Sequence, residues 1–330
     1  MTHPLVIVGL GRIGIGDGSI AAAAILNHAD AALASGGFRI AGLVDPDPVR
    51  RAEASSRFPA TRVAARIEDV AREEGEAIAL CAPTGEHARL AQVVLARRPA
   101  ALIVEKPLAA SLAEARALCV AADAAGVLLR VNFNRRFDPR HASWRDRRPV
   151  APRFVQMRYG KGLFNYASHL VDWLHDWYGV VDAVRALPLR HDAEAADPSP
   201  SFACSMRAGF DAVALGLPGL GYDQFEIEVF ADDAALVLAE GGTSIALRRA
   251  LPGKRYAGYA HLADAAPDEG PVGGFVEFYA ALALALSGRG PMAGCDHRAA
   301  LENVAVLEAV RSSLSRGGVA VRPRDLIDRS

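Results

Sequence analysis

The amino-acid sequence predicts an α/β protein with an N-terminal doubly wound parallel sheet, followed by an α+β domain with an open, mainly antiparallel sheet. In the first half, short continuous apolar runs alternate with helical segments, a rhythm typical of parallel βαβ units. After about residue 150, the strand-like runs become longer and partly alternating in polarity, which favours an antiparallel or mixed sheet. The length of 330 residues suits two domains, which we place at 1–135 and 136–330.

The predicted elements follow the hydrophobic periodicity. N-terminal strands are expected at 4–9, 38–45, 77–82, 100–105 and 127–132, with helices at 19–35, 48–57, 85–97 and 111–125. Ser111 followed by Glu114 is a capping-box pattern, and Gly126 is placed to end that helix. The second half predicts strands at 153–159, 180–188, 202–217, 225–231, 235–238 and 244–249, and helices at 166–178, 275–287 and 297–316. Segment 135–153 is predicted as an irregular basic bridge and 190–200 as a loop.

The bulk composition excludes several classes of protein. A net charge of −1 and a pI of about 6.8 argue against nucleic-acid or membrane-surface partners. No apolar run reaches the roughly 18 residues of a membrane span, and a strand within the first five residues argues against a signal peptide. The cysteines are widely spaced without a CxxC pair, so we expect no disulfide framework or structural zinc and a cytoplasmic location.

A glycine-rich turn follows the first predicted strand. Gly9, Gly11 and Gly14 enclose Arg12 and Ile13, and this spacing between a strand and a helix predicts a dinucleotide-binding Rossmann domain. The second strand ends in Asp45, whose carboxylate is suited to the ribose hydroxyls of NAD and would repel a 2′-phosphate. We expect NAD; the neighbouring Arg50 and Arg51 leave NADP open.

Two further strands end in polar residues. The apolar run at 100–105 stops at Glu105, Lys106 and Pro107, and ligands bind beyond the carboxyl ends of such strands. Lys106 is therefore expected to contact a ligand, although a solvated lysine paired with Glu105 is the simpler alternative. The run at 77–82 leads through Ala82, Pro83 and Thr84 to His87, which either lines the cofactor site or is a partly exposed helix-start histidine.

A polar stripe is predicted on the first helix of the second half. Asn165, His169, Asp172 and Asp176 are spaced by four, three and four residues, so an α-helix would place them on one face. Such a stripe can provide a general base with its orienting groups. A metal site through the histidine and the two aspartates is a weaker alternative, as is a buried histidine satisfied by Asp172.

These segments, in this order, resemble the Gfo/Idh/MocA family of oxidoreductases. The matching segments are Gly9–Gly14, Val44–Asp47, Ala82–His87, Val104–Leu108, Asn132–Pro139 and Ser168–Asp172. The resemblance implies a Rossmann domain followed by an α/β domain with an open sheet, a nicotinamide cofactor, and a sugar or polyol substrate. It also implies that Lys106 bonds the reacting oxygen and that His169 moves the proton. Many relatives carry an aspartate where this chain has Asn165.

Taken together, the motifs and the resemblance predict an NAD(P)-dependent enzyme that transfers a hydride to or from a secondary alcohol of a sugar, polyol or nucleotide sugar. No metal is expected. The predicted catalytic residues are Lys106, His169, Asn165 and Asp172. The predicted cofactor-binding residues are Gly9, Gly11, Arg12, Ile13, Gly14, Asp45, Ala82, Pro83, Thr84, His87, Glu105 and Lys106. The predicted substrate-binding residues are Lys106, Asn132, Arg135, Tyr159, Lys161, Asn165 and His169.

Three expectations remain open at this level. A non-catalytic NAD-binding regulatory or assembly protein and an NAD-dependent glycoside hydrolase are the alternative functions. A cluster of arginines between 135 and 153 suggests an acidic substrate, such as a uronic acid or a nucleotide sugar. An uncovered apolar face on the C-terminal sheet, with Val229 as a member, predicts a homodimer or homotetramer.

Overall fold

The computed structural model describes residues 2–16, 25–253 and 258–329. Its strands are β1 (His3–Val8), β2 (Phe38–Val44), β3 (Arg62–Ala64), β4 (Ala77–Leu80), β5 (Ala101–Val104), β6 (Leu128–Val131), β7 (Phe154–Tyr159), β8 (Val181–Ala186), β9 (Phe202–Met206), β10 (Asp211–Gly216), β11 (Phe225–Phe230), β12 (Ala234–Ala239), β13 (Ser244–Pro252), β14 (Ala260–Leu262), β15 (Asp268–Glu269) and β16 (Cys295–Asp296). Its helices are α1 (Arg12–Ile15), α2 (His28–Ala34), α3 (Pro48–Arg57), α4 (Thr84–Ala96), α5 (Leu112–Ala125), α6 (Pro139–Arg147), α7 (Ser168–Tyr178), α8 (Phe275–Leu286), α9 (His297–Ser315) and α10 (Pro323–Arg329).

The chain divides into two compact units. Unit 1 contains Met1–Ala142 and Gly273–Val304, and unit 2 contains Ser143–Val272 and Ala305–Ser330. The sequence predicted two continuous domains divided at residues 135 and 136. The structure instead returns 273–304 to unit 1, where β16 pairs with β6 and Tyr279 of α8 reaches His28. The apolar sequence of α8 gives no local indication that this helix packs with the N-terminal elements of unit 1.

Unit 1 contains the predicted doubly wound sheet. The strand order is β16-β6-β5-β4-β1-β2-β3; β16 is antiparallel to β6, and the other neighbours are parallel. The order reverses between β1 and β4, and the crevice beyond the carboxyl ends of these strands is where such sheets bind ligands. The short strands β3 and β16 were not predicted, since two or three residues carry no periodic signal.

Most helices of unit 1 agree with the sequence. The side chain of Ser111 accepts a hydrogen bond from the amide of Glu114, and Gly126 ends α5 in the left-handed region at φ 65°, as predicted. The predicted helix 19–35 is seen only as α2, which begins at His28 because the side chain of Asn27 caps it. Residues 19–24 of that prediction lie outside the described residues.

Segment 135–153 is not the irregular bridge that the sequence predicted. A 3₁₀ turn at Asn134–Phe137 leads into α6, and the Asp138 carboxylate accepts hydrogen bonds from the amides of Arg140 and His141. An aspartate followed by proline is a helix-start signal, because the carboxylate caps the first turn and proline suits its first position. The prediction of an irregular bridge rested on the many arginines of this segment and left out the helix-start signal.

Unit 2 contains a nine-stranded sheet ordered β14-β13-β12-β11-β7-β10-β9-β8, with β15 beside β13. Among the pairings described, only β7 and β10 are parallel, which confirms the prediction of a mainly antiparallel sheet. The predicted strand 202–217 is a hairpin of β9 and β10. The turn between them contains Gly209 at φ 91°, a backbone conformation that glycine adopts readily.

The two faces of this sheet differ in polarity. Apolar side chains of α7 and the second half of α9 pack on one face, and Val229 lies in that core with no exposed surface. The prediction that Val229 belongs to an open face is therefore wrong, because the register is offset by one residue. On the opposite face Val237 pairs with Glu228, which in turn pairs with Gln156, so that face is mixed rather than uniformly apolar.

No helix within the described residues is both long enough and apolar enough to span a bilayer.

The assignment of the two faces can be tested by a matched pair of substitutions. Val229→Arg should lower the free energy of unfolding by about 3 kcal/mol or more, since it places a charge in a closed core. Val237→Arg, on the adjacent strand and partly exposed, should change it by less than about 1 kcal/mol when unfolding is measured at protein concentrations low enough to keep the chain monomeric. Chemical denaturation of both variants measures the difference. Equal losses of unfolding free energy in the two variants would contradict the face assignment.

Candidate active site

The glycine-rich turn lies against the end of β4. Gly9 has φ 97°, and a Cβ there would lie 2.6 Å from the carbonyl carbon of Cys81. A Cβ on Gly14 would lie 2.0 Å from the carbonyl oxygen of Gly9, so both positions exclude any side chain. The nearest atom to a Cβ on Gly11 is a guanidinium nitrogen of Arg50 at 3.4 Å. The space beside Gly11 therefore permits the close backbone approach that a pyrophosphate requires.

Asp45 lies where the sequence predicted the ribose acid. Its side chain is 7% exposed, and it accepts hydrogen bonds from the amides of Leu10 at 2.8 Å and Asp47 at 2.9 Å. The carboxylate thus anchors the glycine turn to the end of β2. Arg51 donates to the carbonyl oxygen of Asp45 at 2.9 Å, and Arg50 donates to that of Leu10 at 3.4 Å. Both arginines therefore lie beside the expected ribose position.

Glu105 and Lys106 follow β5 at the same edge of the sheet. The Glu105 side chain is buried, and its Oε1 accepts hydrogen bonds from Nε2 of His28 at 3.0 Å and Nδ2 of Asn132 at 2.7 Å. Burial raises the pKa of Glu105, but His28, Asn132 and the charge of Lys106 together lower it below its usual value. A buried carboxylate therefore lies next to the partly exposed Lys106.

Sequence reasoning missed two members of this network. His28 is fully buried, and its Nδ1 lies 2.6 Å from the hydroxyl oxygen of Tyr279. A histidine within an alanine-rich segment and a tyrosine within an apolar helix resemble ordinary core residues. They are 251 positions apart, so no local pattern joins them.

His87 supports the site indirectly. Its ring is 1% exposed, with Nε2 lying 2.8 Å from the carbonyl oxygen of Ala82 and Nδ1 3.1 Å from that of Pro107. It links the loop after β4 to the residue that follows Lys106, across a cis peptide bond. With 1% of its surface exposed, His87 contributes here by holding this loop, and its contact with a cofactor stays a prediction.

The remaining predicted cofactor residues lie at the same edge. Arg12 and Ile13 form the first turn of α1 directly after Gly11, and Ala82, Pro83 and Thr84 connect β4 to α4. Asn132 follows β6 with 2% of its surface exposed, and Arg135 lies in the next 3₁₀ turn.

In unit 2, the predicted polar stripe begins in a π-helical turn. Leu163–Ala167 is π-helical and α7 starts only at Ser168, so α-helical spacing does not relate Asn165 to His169. Asn165 is exposed and His169 is partly exposed with its ring edge-on to Phe225 at 6.1 Å, while Asp172 is 4% exposed.

The far end of that stripe has a different partner. Asp176 accepts hydrogen bonds from Arg145 at 3.2 Å. Among the residues that the structure describes, no group of three or more histidine, cysteine or acidic side chains is arranged to hold a metal ion.

A residue of the predicted loop 190–200 holds the start of this helix. The carboxylate of Asp197 accepts hydrogen bonds from the amides of Phe164 at 3.0 Å and Asn165 at 2.9 Å. A Cβ on Gly162 would lie 2.2 Å from that carboxylate, so glycine is required there. Asp197 was not predicted, and only the polar character of its loop could have suggested it.

Two predicted substrate residues have other roles in the structure. Tyr159 is fully buried and its hydroxyl donates to the carbonyl oxygen of Pro200 at 2.5 Å, so its role here is to hold the loop at Pro200, and its contact with substrate stays a prediction. Burial raises its pKa. Lys161 is exposed, pairs with Asp223 and lies 5.5 Å from the ring of Tyr166. The hydrogen bond to Asp223 raises the pKa of Lys161.

Much of the predicted arginine cluster is engaged within unit 2. Arg145 pairs with Asp176, Arg153 pairs with Asp232 at 2.6 Å, and the guanidinium of Arg147 lies 3.9 Å from the Trp144 ring centre. These contacts are those of a structured surface, and they weaken the argument from arginine density for an acidic substrate.

Comparisons with known proteins agree with this geometry. Residues 4–133 match the model of the Gfo/Idh/MocA family, described as "Oxidoreductase family, NAD-binding Rossmann fold". A search of curated protein sequences finds no match.

Several solved structures share the fold over nearly the whole chain. One is an oxidoreductase from Agrobacterium radiobacter in complex with NAD+, L-tartaric acid and magnesium, with 17% identity, coverage of 99% of this chain and 100% of that chain, and a TM-score of 0.74. Another is the WlbA dehydrogenase from Bordetella pertussis in complex with NADH and UDP-GlcNAcA, with 20% identity, coverage of 98% and 99%, and a TM-score of 0.73. A third is UDP-N-acetylglucosamine 3-dehydrogenase GnnA from Acidithiobacillus ferrooxidans, with 17% identity, coverage of 95% and 97%, and a TM-score of 0.74.

The family match covers the glycine turn, Asp45, the Glu105–Lys106 pair and Asn132, which are the residues that the structure gathers at the carboxyl edge of the unit 1 sheet. The glycine contacts and the open space beside Gly11 fit a dinucleotide. Residues 4–133 of this chain therefore resemble the NAD-binding Rossmann domain of the Gfo/Idh/MocA oxidoreductases.

Proposed function

We propose that the protein is a dehydrogenase or reductase that transfers a hydride between NAD and a secondary alcohol of a sugar, with nucleotide sugars as the favoured class. One observation carries the proposal. Lys106 follows β5 at the carboxyl edge of the same sheet that presents the glycine turn after β1 and Asp45 after β2. A cationic side chain at that edge is suited to a substrate oxygen beside a bound dinucleotide.

Two residues carry the proposed chemistry. A nicotinamide cofactor held by the glycine turn and Asp45 would supply the hydride acceptor for the carbinol carbon, or the hydride donor in the reverse reaction. Lys106 donates a hydrogen bond to the substrate oxygen and stabilises the negative charge that develops there. His169 removes the hydroxyl proton as the C–H bond breaks, so the alcohol becomes a ketone. Asp172 is proposed to orient the imidazole of His169. Asn165 carries no charge, so it cannot supply a negative charge to that imidazole.

The substrate class rests on the structural neighbours. WlbA was crystallised with UDP-GlcNAcA, and GnnA is named as a UDP-N-acetylglucosamine 3-dehydrogenase. These neighbours suggest nucleotide sugars as the class of substrate to test. At identities of 20% and 17%, they do not select a particular nucleotide sugar. Arg135, in the turn that follows β6, is the arginine best suited to contact an acidic group of such a substrate.

Catalysis by the two named residues is the first test. Lys106→Ala and His169→Ala should each lower turnover by about 100-fold or more and leave the dissociation constant for NAD nearly unchanged. Isothermal titration measures NAD binding, and NADH absorbance measures turnover on a panel of UDP-sugars, uronic acids and neutral sugars.

His261→Ala, an exposed histidine of β14, is the matched control and should behave as the unmodified protein. Normal turnover in either active-site variant would remove that residue from the mechanism. Tight NAD binding without oxidation of any sugar would favour a regulatory or assembly role. Release of an aglycone with NAD regenerated in each cycle would identify a glycoside hydrolase.

Cofactor choice can be tested separately at Asp45. The unmodified protein should prefer NAD, because the carboxylate would face a dianionic 2′-phosphate at close range, and about 1.4 kcal/mol of repulsion is tenfold in affinity. Asp45→Asn removes the charge but retains an oxygen acceptor for one of the two neighbouring amides, and it should gain NADP affinity.

Asp45→Ser should gain NADP affinity as well and lose more NAD affinity, since it also weakens the anchor of the glycine turn. Both cofactors are measured by fluorescence titration. Equal or tighter NADP binding by the unmodified protein would assign Arg50 or Arg51 to a phosphate and contradict the role of Asp45.

Self-association through the open face of the unit 2 sheet is proposed for the assembly. Light scattering at micromolar protein should show a dimer or tetramer, and Val237→Arg should raise the dissociation constant at least about tenfold without changing NAD affinity. Val229 cannot serve in this test because it lies in the core. A single 34.9 kDa species in the unmodified protein would contradict the proposal.

A further inference from the structure

A chain of buried polar groups crosses unit 1 behind Lys106. The hydroxyl of Tyr279 lies 2.6 Å from Nδ1 of His28, whose Nε2 lies 3.0 Å from Oε1 of Glu105; Nδ2 of Asn132 lies 2.7 Å from the same oxygen. These groups come from α8, α2, the end of β5 and the end of β6. The four residues are between 0% and 8% exposed, so water contributes few of their hydrogen-bond partners.

The directions of these hydrogen bonds follow from the charge at one end. The ionised carboxylate of Glu105 only accepts, so Nε2 of His28 must carry the proton and donate it. In a neutral imidazole Nδ1 then accepts, and Tyr279 donates its hydroxyl proton. One tautomer thus satisfies both hydrogen bonds, and the rings of Phe275 and Tyr279, edge-on to His28 at 5.4 and 5.7 Å, hold it in place.

We propose that His28 and Tyr279 are positioning residues for the candidate catalytic lysine, acting through Glu105, which they hold as a fixed carboxylate beside Lys106. The inference deepens the proposed function and rests on it for the role of Lys106. It names two residues, on α2 and α8, that lie outside every sequence motif. A fixed anion next to the ammonium group favours the charged, ordered lysine that an alkoxide requires.

The electrostatic surroundings support this role. The groups that face Glu105 are His28, Asn132, Lys106 and, more weakly, Cys81 and Tyr279. His28 is the strongest influence that lowers the pKa of the carboxyl group, and burial opposes it. Loss of the His28 hydrogen bond should therefore raise the pKa of Glu105, and Lys106 would lose its neighbouring anion at a higher pH than in the unmodified protein.

The composition of the chain makes a direct measurement possible. The sequence contains only three lysines, Lys106, Lys161 and Lys254. Lysine labelled with ¹³C at Cε gives one resonance from each, and single Lys→Arg variants assign them. The pH titration of these signals needs neither substrate nor cofactor, so it is independent of whether the proposed reaction occurs.

Glu105→Gln should lower the pKa of Lys106 by about 1 or more and leave Lys161 unchanged. Asp223→Asn, which removes the exposed partner of Lys161, should do the reverse, lowering the pKa of Lys161 alone. An unchanged Lys106 titration in a folded Glu105→Gln protein would overturn the inference at its first step.

The His28 variants test the second step. In His28→Leu, the inflection of the Lys106 signal that reports protonation of Glu105 should move at least about 1 pH unit higher, and the Glu105→Gln background should abolish it. His28→Gln can donate to Glu105 and accept from Tyr279, so it should restore the original titration. Tyr279→Phe keeps the ring and should show a smaller shift in the same direction.

Circular dichroism and thermal unfolding identify variants that fail to fold. If His28→Leu fails to fold, Tyr279→Phe, which loses only one hydroxyl, still provides the test. An inflection at the unmodified pH in both folded variants would reduce His28 and Tyr279 to packing residues. Failure of the proposed catalytic role of Lys106 gives a different pattern. Lys106→Ala then retains turnover, while the titrations still show the coupling between Glu105 and Lys106.

Discussion

The buried carboxylate of Glu105, at the carboxyl end of β5, links four secondary-structure elements of unit 1. A carboxylate removed from water costs several kcal/mol unless charged or polar partners surround it. Here His28 and Asn132 lie within hydrogen-bonding distance of one oxygen, and the hydroxyl of Tyr279 lies 2.6 Å from the other ring nitrogen of His28. This requirement joins α2, β5, β6 and α8, and apolar side chains of α8, including Phe278, pack into the core of the same unit.

A second constraint acts at the same edge of the sheet. The glycine turn approaches the end of β4 so closely that Gly9 and Gly14 leave no room for a Cβ, and Asp45 ties the turn to β2. His87 ties the loop after β4 to Pro107 in the same way. The strand ends are thus held by backbone contacts and by buried side chains, which makes this edge a preorganised frame for a ligand.

Unit 2 holds its candidate base by different means. Asp197 accepts two amide hydrogen bonds at the π-helical turn before α7, and Ser199 accepts one from the amide of Gly162 at 2.9 Å. A carboxylate at that end also complements the positive end of the helix dipole. The loop 190–200 therefore fixes the start of the helix that carries His169, one turn away from the anchoring bonds. The segment is therefore already ordered before a substrate binds, and its ordering does not reduce the binding free energy.

The residues that the sequence identified are those whose chemistry is local. The glycine turn, the acid after β2, the Glu105–Lys106 pair and the Ser111 cap each depend on a strand or helix boundary a few residues away. The alternation of apolar runs likewise predicted the parallel sheet and its order reversal, because crossover helices bury both faces of such a sheet.

Tertiary structure alone decided the partners and the faces. His28 and Tyr279 meet across 251 positions, and Asp197 reaches a turn 32 residues before it, so neither contact leaves a periodic trace. Val229 was assigned to the wrong face because side chains alternate along a strand and a shift of one residue inverts them. Local propensities specify where elements begin and end, whereas the burial of a carboxylate and the pairing of strands are satisfied only when distant segments meet.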